Sequence, residues 1–280
     1  MAQQAENTET GVETLKSPID ILKLLDRSNC RDCGERTCLA FATAVFNGQR
    51  SLSECTHLDP EVAAKYSGTM RQRQTVQAEA EEGLDALRKK AAEVDLEEAA
   101  ERLGGTYKNG RLTVKVLGKD FRVHDDGSLS SDIHVNHWVA VPVLIYVIKG
   151  EGVPVTGEWV QFRDLEDGRE RYPLFEQRAE QPARKVADAY TDLFSDMLEI
   201  FNGKRVENHL GSDISIVLWP LPKVPILFCY WKPEEGIDSE FRIFFDSTAD
   251  KNLDAPTLFT LCAGMVQMFE KMARRHGFAV

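Results

Sequence analysis

The chain has 280 residues, 42% of them hydrophobic and 28% charged, the texture of a globular protein with room for about two domains. A net charge of −11 argues against nucleic acid and anionic membrane surfaces as primary partners. The amino end lacks a basic stretch leading into an apolar one, so no secretory signal is expected. The longest apolar run, Trp138 to Ile148, is far short of the ~20 residues of a bilayer span. The chain therefore reads as cytoplasmic, without membrane insertion.

Residues 1–16 are polar, without an apolar period, and are expected to be disordered. Ser17-Pro18-Ile19-Asp20 reads as a helix start, with Ser17 as N-cap and Pro18 at the first position. Ile19, Leu22 and Leu25 form its expected buried stripe. A cysteine-bearing loop follows, in which Gly34 allows the backbone a close approach to a metal core. Thr37 caps a second expected helix from Cys38 to about Phe46, packed through Leu39, Phe41, Ala42 and Val45 and ended by Asn47-Gly48. Asp59-Pro60-Glu61 opens another helix. From 61 to 104 the chain reads as a helical connector, with a thin apolar seam of Val76, Ala80, Leu84, Leu87, Ala91 and Val94. Within it Asp95 and Glu98 mark a fresh helix start, and Gly104-Gly105 a stop.

Beyond Gly105 the texture changes. Arg111–Val116 and Asp120–His124 alternate around Gly118-Lys119 as a β-hairpin. Trp138–Ile148 is ambiguous: Pro142 argues against a central strand and for the start of a short buried helix ending at Lys149-Gly150. Gln181–Phe201 has the period of one amphipathic helix, with Val186, Tyr190, Leu193, Phe194, Met197 and Ile200 on one side. Strands are expected at Ile214–Trp219, Val224–Trp231 and Phe241–Phe245, with Pro220 and Pro222 breaking the first pair. Ala255 to about Arg275 closes the chain as a helix with Leu258, Leu261, Met265 and Phe269 inward. Strands that follow one another rather than alternate with helices predict α+β with an antiparallel sheet over 105–280.

Cys30, Cys33, Cys38 and Cys55 stand in the spacing C-x2-C-x4-C-x16-C. Three thiolates from a tight loop and one from a distance suit an iron–sulfur cluster. Zinc is the rival occupant, although structural zinc sites favour two paired knuckles, and only His57 could complete a second one with Cys55. The hydrophobic content of 17–60 is small, and a bound metal would supply the missing stability. Cys229 and Cys262 sit in apolar contexts and read as inert buried thiols.

The stretch from Leu24 to Ala42, with Asn29-Cys30-Arg31-Asp32-Cys33-Gly34 followed by Cys38 and an alanine-rich helix, resembles a four-cysteine iron–sulfur domain of anaerobic proteins. That domain occurs in the large subunit of the corrinoid iron–sulfur protein and in the B subunit of the Rnf electron-transport complex. The resemblance covers 17 to about 58 and implies that Cys30, Cys33, Cys38 and Cys55 ligate a low-potential [4Fe–4S] cluster. Gly157-Glu158-Trp159 through Tyr172-Pro173-Leu174-Phe175, with Phe244-Phe245-Asp246, is similar to an uncharacterised domain found behind this module in anaerobes. That likeness brings no activity with it.

Weaker signals remain. Arg27, Arg31 and Arg36 either tune a cluster and guide an acidic redox partner or simply solvate the loop. His134 and His137, with Asp132 nearby, could hold a second metal but lack a third ligand at a meaningful spacing. Trp138, Trp159, Trp219 and Trp231, with Phe162, Tyr230 and Phe245, line a flat pocket or belong to the core. Glu158, Arg163, Asp164 and residues 169–171 read as a solvated face. No nucleotide-binding or hydrolase motif occurs. Three functions follow: a one-electron transfer or redox accessory protein, with a corrinoid protein among the partners; a protein-binding module with a structural or redox-sensing metal; or an oxidoreductase with a pocket in its second domain.

Overall fold

The computed structural model describes residue 15, residues 17–207 and residues 209–279, with the side chains of 67–77, 194, 198 and 199 excepted. The chain divides into two compact units, Met1–Gly83 and Leu84–Val280. The fold is α+β. The disorder expected for 1–16 lies outside the described residues apart from Leu15, which is buried.

In the first unit the Ser17 hydroxyl accepts the Asp20 amide N–H and opens α1 (Pro18–Leu24). The buried stripe differs from expectation, because Ile21 and Leu25 point inward while Ile19 is 51% exposed. Two turns of helix bury only one narrow stripe, and Ile21 aligns with Leu25 four residues on. Thr37 caps α2 (Cys38–Phe46), which buries Phe41, Ala42 and Val45 and leaves Leu39 outside. A 3₁₀ turn at Leu52–Glu54 carries a complete capping box between Ser51 and Glu54. Leu52, Leu58, Ala63 and Tyr66 complete the core, the last two from α3 (Pro60–Ala91). This is a small core for a folded unit, and such units ordinarily depend on a metal or another staple.

The second unit takes in the last turns of α3, with Ala91 buried and Leu84, Leu87 and Val94 packed against its core. Ala80 of the expected seam is half-buried, and the Val76 side chain lies outside the described residues. Asp95 caps α4 (Leu96–Leu103), which stops at Gly104 in the left-handed conformation. A four-stranded antiparallel meander follows: β1 (Thr106–Tyr107), β2 (Arg111–Val116), β3 (Lys119–His124) and β4 (Leu129–Ser131). Leu117 and Gly118, both at positive φ, make the two-residue turn of the expected hairpin.

Helix α5 (His137–Lys149) begins five residues before Pro142 rather than at it. A proline at this depth forgoes only its bond to the Trp138 carbonyl, and burial of Val139, Val143, Leu144 and Val147 outweighs that loss. β5 (Trp159–Gln161) and α6 (Gly168–Phe175) come next, then a π turn at Glu176–Glu180 running into α7 (Gln181–Ala189). The single helix expected over 181–201 is broken. Tyr190 leaves the helical region and α8 (Leu193–Ile200) starts anew. The Thr191 hydroxyl donates back to the Ala187 carbonyl, and the Tyr190 hydroxyl donates to Asp196 at 2.7 Å, so local polar groups compete with helix continuation. Val186, Leu193 and Met197 are buried as expected, Ile200 is 43% exposed, and Phe194 is among the side chains not described.

β6 (Lys204–Arg205), β7 (Ile214–Leu221), β8 (Val224–Trp231) and β9 (Glu240–Asp246) complete a five-stranded antiparallel sheet ordered β5-β9-β8-β7-β6. β7 runs through Pro220, which was expected to end it. The register shifts between Leu218 and Leu221, and β6 pairs only with Ile216 and Val217, so no partner strand requires the missing amide. A short α9 (Ala249–Asn252) leads to α10 (Ala255–Arg275), capped by Asp254.

Alternation gives the sheet two apolar faces. Ile216, Leu218, Ile226, Phe228, Ile243 and Phe245 join the main core with Leu258, Leu261, Met265 and Phe269 of α10. Phe162 and Phe175 stack at 4.2 Å within it, with Phe245 and Phe259 tilted against them. Val217, Leu227, Cys229 and Phe244 form a smaller cluster on the opposite face with the half-buried Trp159, Trp219 and Trp231. Helices α10 and α5 approach closely at Gly264, where a Cβ would stand 2.5 Å from the Trp138 ring. Gly264→Ala should therefore cost about 1–3 kcal/mol by overpacking, more than the ~1 kcal/mol of helix propensity it gains, read as a lower thermal midpoint of the second unit. Among the described residues no helix is long and apolar enough to cross a membrane.

Candidate metal centre

The loop from α1 to α2 has an unusual backbone. Arg27, Asn29 and Arg31 adopt φ of 62°, 54° and 71°, and Gly34 follows at 82°. Positive φ at every second residue from Arg27 to Arg31 is a rare backbone for residues that carry a Cβ. For arginine this conformation costs about 1–3 kcal/mol, which the surroundings must offset. At Gly34 the reason for glycine is the positive φ, since a Cβ there would make only ordinary contact with Arg50.

Asn29 ties the loop to α2. Its side-chain oxygen accepts the Cys38 amide N–H at 2.8 Å, and its own amide N–H donates to Cys38 Sγ at 3.4 Å. Cys38 is buried in the first unit's core, Cys33 and Cys55 are half-buried against the same core, and Cys30 is exposed. Cys55 is placed by the 3₁₀ turn, its amide N–H donating to the Leu52 carbonyl at 3.2 Å. The four thiols thus belong to one small unit, three of them on its core.

The charged groups differ from expectation. Arg27, Arg31 and Arg36 are exposed, and none forms an ion pair among the described residues. The basic group that bears on a cysteine is Arg50, bound to Glu54 at 2.7 Å and 3.7 Å from Glu35. Its charge is favoured first by the Glu54 hydrogen bond, with the Cys33 thiol contributing. Beside Cys30, the His57 Nε2 pairs with Asp32 at 2.8 Å, and its Nδ1 lies 3.8 Å from Asp26. The Asp32 hydrogen bond raises the His57 pKa and lowers that of Asp32. Cys30 Sγ, an Asp32 oxygen and a His57 nitrogen lie within 4.8 Å of one another. Sequence reasoning paired His57 with Cys55, whereas the structure places it against Asp32 and Cys30. No spacing rule marks Asp32, because the contact spans 25 residues.

Other candidates separate. His134 and His137 are exposed, Asp132 is taken by Arg122 at 2.9 Å, and they form no metal-binding group among the described residues. Cys229 and Cys262 are fully buried and their pKa values are raised by desolvation, as inert thiols require. The aromatic set does not line one pocket: Phe162, Tyr230 and Phe245 are core residues, and Trp138 packs between α5 and α10.

Residues 95–268, more than half of the chain, match the family model described as "Domain of unknown function (DUF3786)". The chain belongs to the DUF3786 family. Ahead of that domain, residues 25–57 match the family model described as "Putative Fe-S cluster". Over 47 residues the chain is 38% identical to the acetyl-CoA decarbonylase/synthase complex subunit gamma of Methanosarcina acetivorans, which covers 17% of this chain and 10% of that one. Over 49 residues it is 39% identical to the same subunit of Methanopyrus kandleri, covering 18% and 11%. This DUF3786 chain spans about a tenth of the length of the curated relatives it matches. No solved structure matches it.

The residues suit a thiolate-bound centre. The Asn29 N–H aimed at Cys38 Sγ is the kind of donor that supports a metal-bound sulfur, and the Arg50 guanidinium lies near Cys33. Among the described residues no three of the four thiols lie within 4.8 Å of one another.

Proposed function

We propose that Cys30, Cys33, Cys38 and Cys55 hold a [4Fe–4S] cluster and that this DUF3786 protein is a one-electron carrier or redox accessory protein of anaerobic metabolism. The observation that carries this reading is the Asn29–Cys38 pairing within the left-handed loop, which prepares a buried thiolate for a negatively charged core. Such a cluster supplies reversible one-electron transfer at low potential. The chain's own residues would set its terms. The Asn29 N–H withdraws charge from the Cys38 sulfur, the apolar core shields Cys38 from water, and exposed Cys30 offers the shortest route outward. Arg27, Arg31 and Arg36, exposed and without an ion pair among the described residues, support docking of an acidic redox partner in an otherwise acidic chain. A corrinoid protein is one partner to test, on the strength of the resemblance of 17–58 to the corrinoid iron–sulfur protein's cluster domain.

The Cys30–Asp32–His57 group favours a second reading, in which a mononuclear metal is structural or redox-sensing and the chain is a protein-binding module. Anaerobic purification with iron, acid-labile sulfide, zinc and cobalt assays separates the two, followed by electron paramagnetic resonance of the reduced sample. About four irons and four sulfides per chain with a reducible signal are expected. Stoichiometric zinc without sulfide would replace the first reading by the second.

A further inference from the structure

The second unit carries a half-open cleft of about 430 Å³ at the β5 end of the five-stranded sheet, within the size range of small-molecule sites. Its charged lining is Arg242 of β9, Glu240, Glu176 and Arg163. Arg242 is paired with acids: its Nε donates to Glu240 at 2.7 Å, and its Nη1 reaches the Tyr172 hydroxyl at 2.8 Å, Glu180 at 3.1 Å and Glu176 at 3.4 Å. Behind it Glu180, with a side chain only 3% exposed, accepts from the Ile243 amide at 3.1 Å and the Tyr172 hydroxyl at 3.1 Å. Burial pushes the Glu180 carboxyl up, and these donors oppose it. Burial also pushes the Tyr172 phenol up to about 12, so it stays a donor. The two glutamates at either end of the π turn both serve Arg242, an inserted-residue geometry common at functional sites.

Arg163 stands outside this network. Arg163 stands above the Tyr172 ring, 5.4 Å from its centroid, and has no carboxylate within ion-pair reach among the described residues. The ring holds the guanidinium by cation–π attraction and leaves its N–H edge free for a ligand. Two aromatic rings also line the cleft, Trp231 of β8 and Phe244 of β9. At the mouth Leu210 is held at φ 52° and is 68% exposed, a strained conformation for a leucine and a costly place for an apolar side chain.

We propose that this cleft binds a flat, ring-bearing organic monoanion, its carboxylate on the Arg163 guanidinium and its ring against Trp231 and Phe244. A cation is disfavoured because Glu176 and Glu240 are already paired with Arg242. A multiply charged phosphate is disfavoured because Glu176, Glu180 and Glu240 outnumber Arg163 and Arg242, and only Arg163 lacks a carboxylate partner among the described residues.

The test is calorimetry on the full chain with 2-naphthoate, its neutral counterpart 2-naphthamide, and inorganic phosphate. Naphthoate should bind, naphthamide about tenfold more weakly, and phosphate should not displace either, the gap being that of one charge-assisted hydrogen-bond pair. Arg163→Gln should weaken naphthoate about tenfold or more and leave naphthamide unchanged. Arg163 is exposed and unpaired, so the variant should melt like the parent. Arg184→Gln is the control, because Arg184 does not line this cleft but a neighbouring cavity of about 140 Å³ that shares Glu176, Glu240 and Arg242 with it. No naphthoate binding below about millimolar, equal affinity in Arg163→Gln, or loss only in Arg184→Gln would each overturn the assignment.

Discussion

Cys38→Ser is expected to abolish metal loading and, with it, the independent stability of the first unit. Serine keeps the size and the cap geometry of α2 but supplies no thiolate, and Cys38 is the buried member of the set, tied twice to Asn29. Iron and acid-labile sulfide should fall from about four of each per chain to under about one. The core of that unit is small, and without a bound centre it should lose cooperative melting and become sensitive to limited proteolysis. The second unit has a core of its own and should melt as in the parent. Cys229→Ser is the matched control: Cys229 is buried too but lies in the outer sheet cluster, so its loss should leave the iron content untouched. Retention of full iron by Cys38→Ser would remove Cys38 from the ligand set.

What the sequence discloses here follows the range of the interactions that decide each feature. The bounds of α2 and α10, the Asp95 cap and the β2–β3 hairpin are set within a few residues and were legible, although the turn falls at Leu117-Gly118 rather than at the expected Gly118-Lys119. The cysteine spacing was legible for the same reason. By contrast, β5 exists because Trp159–Gln161 pairs with Phe244–Asp246, more than eighty residues on, and three residues alone carry no pattern. The break after Ala189 was hidden because the apolar period continues through it while Tyr190 and Thr191 make local hydrogen bonds that periodicity does not record. The Arg242 network joins residues 62 to 70 positions apart, and Arg163, read as part of a solvated face, acquires meaning only once its neighbours are found paired elsewhere. The His57–Asp32 contact was missed on the same ground.

Asp246→Asn should be the most damaging isosteric change in the second unit. Asp246 is fully buried at the end of β9, where its carboxylate accepts amide N–H groups from Thr156, Gly157 and Thr248 and hydroxyls from Thr156 and Thr248. These bonds fasten the segment before β5 to β9, so they hold the sheet edge that bears one wall of the cleft. An asparagine presents an NH₂ where one oxygen stood, leaving at least one backbone donor unpaired and two donors opposed. The expected loss is about 2–4 kcal/mol at neutral pH, against the ~5–15 kcal/mol that stabilises a typical domain. For a unit of this size that lowers the thermal midpoint by roughly 5–15 °C. The pH dependence gives the sharper check. Burial raises the Asp246 pKa, but the Thr248 hydroxyl and the Gly157 and Thr156 amides outweigh it, and the net shift is downward. A depressed carboxylate pKa contributes stability that is complete above the unfolded value of about 3.9 and is lost as pH falls through the folded value. The difference between parent and variant should therefore be level from about pH 5 to 8 and close below about pH 4. Other carboxylates titrate alike in both proteins and cancel. A gap that persists undiminished at about pH 3 would mean that the Asp246 charge contributes nothing and that only the shape of the side chain matters.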